Sequence, residues 1–151
     1  MFTSFVNLMN LPEIGDKNFS TDAEFNRYVQ IWGTLSEKYS AVIIQNNFDL
    51  SPIALLGNLD CVENFGIANF LAEMNLRFAE YARTHKNFFI HDLQGLSARI
   101  GLSTWHNSFQ YHAYKIAINY DVMPEVALNL SKIIRVILGK NKKCLVLDLD
   151  K

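Results

Sequence analysis

The chain is short of the residues that staple, kink or loosen a fold: its 151 residues include two cysteines, three prolines and seven glycines. Cys61 and Cys144 do not have the spacing of a disulfide framework or a zinc site, and Cys144 lies in an apolar run, which predicts a reduced, cytoplasmic protein. Charge of one sign is also missing. Fourteen basic against 15 acidic residues leave a formal net charge of −1, with no basic cluster denser than Lys140, Lys142 and Lys143. A nucleic-acid or anionic-membrane partner therefore has no electrostatic support. No segment reaches the roughly 18 consecutive apolar residues that cross a bilayer. Met1 to Asp16 lacks the basic start and long apolar core of a signal peptide.

What is present is a large apolar inventory. Half the residues are hydrophobic, 13% are aromatic and 19% charged, so the chain can bury a core and disorder is not expected. Thr21 and Glu24 are spaced as a capping box, and Phe25, Tyr28, Val29, Trp32 and Leu35 follow at helical steps, which predicts a helix over 22–39. Ala41 to Gln45 reads as a short buried strand ending at Asn46 and Asn47. A second helix over 64–84, capped by Asn64, follows from the stripe Ile67, Leu71, Met74, Phe78 and Tyr81. Phe88 to Ile90 reads as the next strand, with His91 and Asp92 at its carboxyl end, then a helix over 93–100 stopped by Gly101. Ser103 to Asn107 reads as a polar loop. The last helix is expected over 122–138, with Pro124 in its first turn, the stripe Leu130, Ile133, Ile134, Ile137 and Leu138, and Gly139 closing it.

Alternating strands and helices predict an α/β fold: a three-layer, mostly parallel sheet flanked by helices, incomplete at the end of the chain, with ligands at the carboxyl ends of the strands. Gly139 to Lys143 reads as a joint between a domain over 1–139 and the beginning of a second over 140–151. There the apolar run Cys144 to Leu147 predicts a buried strand. Its period of two puts Asp148 and Asp150 on one face just beyond it. Two carboxylates so placed can hold a hard cation such as Mg²⁺, with one attacking phosphorus while the other handles a proton. An acidic turn after a buried strand is the plain alternative for so short a motif. The free edge of an apolar strand over 144–149 also predicts pairing with a second copy into a homodimer.

Lys143 to Asp150, Lys-Cys-Leu-Val-Leu-Asp-Leu-Asp, resembles the opening motif of haloacid-dehalogenase (HAD) type phosphatases in the form used by FkbH-like proteins. The resemblance implies that Asp148 is the phosphoryl-accepting nucleophile, Asp150 the general acid/base, and Mg²⁺ their partner. The family continues with Asn-Thr, where this sequence has Lys151, and its later motifs lie downstream. The resemblance therefore implies no turnover by this chain alone. It extends over about 20–150, because Trp105-His106-Asn107, Tyr111, Ala113 and Lys115, with Asp92 and Gly101, are similar to the pattern of the SGNH-hydrolase-like domain that precedes the phosphatase in that family. Asn107 replaces the usual acid. Members of the family are linked to loading a glyceryl unit from a phosphorylated three-carbon donor onto an acyl carrier protein, which makes both expected partners.

Hydrolysis of the SGNH kind needs a serine nucleophile, oxyanion donors and an Asp-x-x-His pair. Ser4, Ser20 and Ser51 lack a Gly-Asp-Ser setting, and Phe109 stands three residues before His112. Asn46 or Asn47 would serve as an oxyanion donor or simply cap a loop. His91, Asp92, His106 and His112 are the polar residues expected to line a pocket, with a structural role as the alternative. Trp105 and Tyr111, placed on a loop, would form a docking patch, and Lys115 would meet a carrier's phosphopantetheine or stay solvated. A non-catalytic docking module is the rival reading.

Overall fold

The structure is a computed structural model that describes Ser4 and residues 8–140. Six helices and two strands follow in the order α1 (Asp22–Tyr39), β1 (Ile43–Asn46), α2 (Ile67–Thr84), β2 (Phe88–His91), α3 (Leu93–Ile100), α4 (Leu102–Trp105), α5 (Ser108–Tyr114) and α6 (Met123–Ile137). Short 3-10 turns at Gly57–Cys61 and Tyr120–Val122 precede α2 and α6. The strands run parallel, with Ile43 opposite Phe88 and Asn46 opposite His91. The chain is thus α/β, as expected, but the described residues supply two strands of the sheet. The run over 144–149 lies outside them, as do Asp148 and Asp150.

The larger core forms because α1 and α2 each carry an apolar stripe and the strands alternate. Tyr28 and Trp32 of α1, Phe70, Leu71, Met74 and Phe78 of α2, and Ile43 and Phe88 of the strands are buried together with Phe48. Trp32 packs edge-on against Phe78 and Phe88, with ring centroids 4.9 and 4.6 Å apart. Its indole N–H donates to Gln45 Oε1 at 3.2 Å, which satisfies two polar groups inside this core. Alternation sends Asn46 and His91 to the other side of the sheet. A smaller core there gathers Leu93, Leu96, Trp105, Ile118, Val122 and Val126 from α3, α4 and the start of α6.

Several local expectations are corrected. Thr21 makes no capping bond; its hydroxyl donates to Glu73 Oε1 at 2.6 Å and accepts from Arg77 Nη1 at 2.7 Å. Glu24 is drawn instead toward the amino-terminal segment. Asn64 donates to Lys17 O, and the first turn of α2 is capped by the buried Asp60, which accepts from Ala68 N at 2.8 Å. The region read as a polar loop, 103–107, holds most of α4, and α5 starts directly after it, because Gly101, at φ 96°, and Asn107 end and restart the helix within a few residues. In α6 the stripe is shifted: Val126 is buried and Leu130, Ile133 and Ile137 are half-buried, whereas Ile134 and Leu138 are exposed.

Candidate functional site

The carboxyl ends of β1 and β2 carry most of the polar residues singled out from the sequence, and they are bonded mainly to one another. Asn47 Nδ2 donates to Asp92 Oδ1 at 2.7 Å, and Asn47 Oδ1 accepts from Gln94 N at 3.0 Å. Asp92 Oδ1 also accepts from Gly95 N at 2.9 Å, so it is the N-cap of α3. Asn46 Nδ2 donates to Asn47 O at 2.8 Å. These bonds give both asparagines and Asp92 a structural role in joining the two strand ends.

His91 is 2% exposed, and its Nε2 has no hydrogen-bond partner. Burial pushes its imidazole below the usual range, against the opposing influence of Asn129 of α6 and of Asp92. His91 and Asp92 are not among the residues that line the cavity beyond β1.

The cavity lies further along the loop after β1. It measures about 140 Å³ and is lined by Pro52, Ile53, His106, Asn107, Ser108, Tyr111, His112 and Ala117. Four residues named from the sequence, His106, Asn107, Tyr111 and His112, meet here. Pro52, Ile53, Tyr111 and Ala117 supply apolar walls, as in most ligand cavities. Asn107 is at the same time the N-cap of α5, accepting from Gln110 N at 3.1 Å. Lys115 stands exposed in a left-handed conformation at the end of α5, with Nζ 5.6 Å from the Tyr111 ring centre.

Behind His106 sits a charge the sequence analysis missed. Asp49, 3% exposed, accepts from Trp105 Nε1 at 2.6 Å and lies 3.5 Å from His106 Nε2. Burial pushes the Asp49 carboxyl above its usual range, while the Trp105 N–H and the His106 ring pull it back. Trp105 is fully buried, which removes it from any docking patch. No spacing rule would have paired Asp49 with residues 56 positions away.

Of the serines weighed from the sequence, Ser20 and Ser51 are engaged locally, whereas Ser108 lines the cavity itself. Ser20 donates to Asp22 Oδ2 and Ser51 donates to Ile53 O, at 2.7 and 3.0 Å. Among the described residues no group of three or more His, Cys, Asp or Glu side chains can hold a metal ion, and no helix is long and apolar enough to cross a membrane. Cys61 is an exposed free thiol.

A parallel-sheet α/β domain with a polar seam between its strand ends and a small cavity beside it is the class of protein these features define. The chain matches the FkbH N-terminal domain over residues 7–137, and it belongs to that family. It is also similar to the crystal structure of the N-terminal part of the protein BF1531 from Bacteroides fragilis, containing a phosphatase domain complexed with Mg. The TM-score is 0.78 at 24% identity, over 97% of this chain and 39% of that one. No curated protein matches.

Proposed function

We propose that this chain is the amino-terminal α/β part of an FkbH-like enzyme of the HAD superfamily, one that removes a phosphoryl group while passing a glyceryl or other acyl unit to an acyl carrier protein. The supporting observation is one of order. The FkbH N-terminal match runs to residue 137, and the phosphatase-like motif over 143–150 follows it. In this reading Asp148 attacks phosphorus and Asp150 protonates the leaving oxygen, then deprotonates the water that hydrolyses the aspartyl phosphate. Their carboxylate oxygens suit Mg²⁺, a hard cation that here would neutralise phosphoryl charge. Mg²⁺ keeps several waters in its shell, and the resemblance implies that its remaining protein ligands come from the family's later motifs. The domain over 1–139 is then a non-hydrolytic, SGNH-like module in a cytoplasmic enzyme.

The test compares this chain with the longer protein on a phosphorylated three-carbon donor. The longer protein should release phosphate only with Mg²⁺ and lose that activity in Asp148→Asn, while this chain alone should release none. Mg²⁺-dependent release by this chain, lost in Asp148→Asn, would overturn the fragment reading.

A second reading is a stand-alone docking module, favoured by the apolar walls that Pro52, Ile53, Tyr111 and Ala117 give the cavity. Calorimetric titration with a carrier protein should then show binding that Tyr111→Ala weakens at least tenfold. Equal affinities would remove this face as the docking site.

A further inference from the structure

His106 is wedged between the two walls of the cavity. Its Nδ1 lies 3.0 Å from Ala117 O, in the segment after α5, and its Nε2 lies 3.1 Å from Leu50 O, in the loop after β1. Carbonyl oxygens only accept. A neutral imidazole has one N–H, so one of the two contacts would set a nitrogen lone pair against an oxygen lone pair. Two N–H groups satisfy both, and two N–H groups make an imidazolium. The counter-charge is in place, because Asp49 Oδ2 lies 3.5 Å from Nε2 and is itself fixed by Trp105 Nε1.

We propose that His106 is a protonation-gated clasp on this cavity: as an imidazolium it donates to Leu50 O and Ala117 O at once, and on losing a proton it can hold only one wall. Deprotonation breaks one N–H bond, the proton leaves to solvent, and the carbonyl it had served is left without that donor. Leu50 leads directly into Pro52 and Ile53, and Ala117 is itself a lining residue, so releasing either carbonyl frees one side of the cavity. The groups that face His106 are Asp49 from the loop after β1, the Trp105 indole beside that carboxylate, and Tyr111 and His112 across the cavity on α5. Of these, Asp49 is the carboxylate. Its Oδ2, 3.5 Å from Nε2, is the counter-charge the doubly protonated ring would meet. The clasp is independent of any chemistry at Asp148 and Asp150.

Nuclear magnetic resonance of the chain tests this. The ring nitrogens of His106 should both carry protons at about pH 5.5. As the pH rises, the amide signals of Leu50, Ser51, Ala117 and Ile118 should move with the ring in one shared transition. That transition should vanish in His106→Gln, since a carboxamide does not take up or lose a proton in this range, and persist in His112→Gln. A single-tautomer ring at about pH 5.5, or amides that ignore the ring's transition, would overturn the clasp. If His106→Gln does not fold, the ring spectrum of the unaltered chain decides by itself.

Discussion

Glu24 shows how one side chain can be recruited away from the role its spacing advertises. Its carboxylate is buried, accepts from Met9 N and from Asn10 N and Nδ2, and pairs with Arg27. Burial works to raise its carboxyl, but the bonds from Arg27 and Asn10 outweigh it and hold the group below the usual range. A depressed carboxyl stabilises the fold above the unfolded value of about 4.5, and the contribution is lost as pH falls through the folded one. Glu24→Gln should therefore cost about 1–3 kcal/mol at neutral pH. It should also flatten the acid limb of stability, as read by urea unfolding at several pH values.

His91 titrates with the opposite chemistry and the same outcome in acid. Its folded imidazole is depressed, so the unfolded chain takes up a proton first, and stability falls as pH drops below about 6.5. Replacing it by leucine should remove that part of the pH dependence and leave α3 in place, since the cap of α3 is Asp92. Loss of helix content at pH 7 would contradict this assignment.

Among the elements, those with a repeated apolar stripe were readable from sequence, and those without one were not. α1 and α3 occur over the expected residues because Tyr28 and Trp32, or Leu93 and Leu96, recur at helical steps toward a core. α5 buries none of its residues, so it has no stripe to read, and α4 is a single turn between two polar stretches. The start of α2 was misplaced by three residues because its cap is supplied by Asp60, from the turn before it, rather than by Asn64. Half of the cavity's eight lining residues could be named in advance, since His106, Asn107, Tyr111 and His112 are close in sequence. Pro52 and Ile53 reach it only through the fold.

The junction of the Asp60 turn with α2 also leaves no space. A Cβ at Gly66 would lie 2.1 Å from Asp60 O, a backbone atom that cannot swing aside. Gly66→Ala should cost about 1–3 kcal/mol and shift the denaturation midpoint without changing the slope. An unchanged midpoint would mean that this turn is looser than its geometry indicates.

At the scale of the whole molecule, the two cores differ in size and in the elements that build them. The larger joins α1, α2 and both strands; the smaller rests on short helices and the start of α6. Stability need not be uniform under such a division. Amide hydrogen exchange should be slowest in α1, α2, β1 and β2 and measurably faster in α4 and α5. Uniform protection across all of these would show the two cores unfolding as one.

Asn75, midway along α2, accepts from Phe48 N at 2.7 Å and donates to Phe48 O at 2.8 Å. That is the pair of bonds an adjoining strand would make, formed here by a single carboxamide. Just past β1, where the ladder with β2 has ended, a side chain impersonates a neighbouring strand and silences a backbone donor and acceptor that would otherwise invite another chain. The strand end is thereby shielded at that point from recruiting strangers, and the shield is one amide wide.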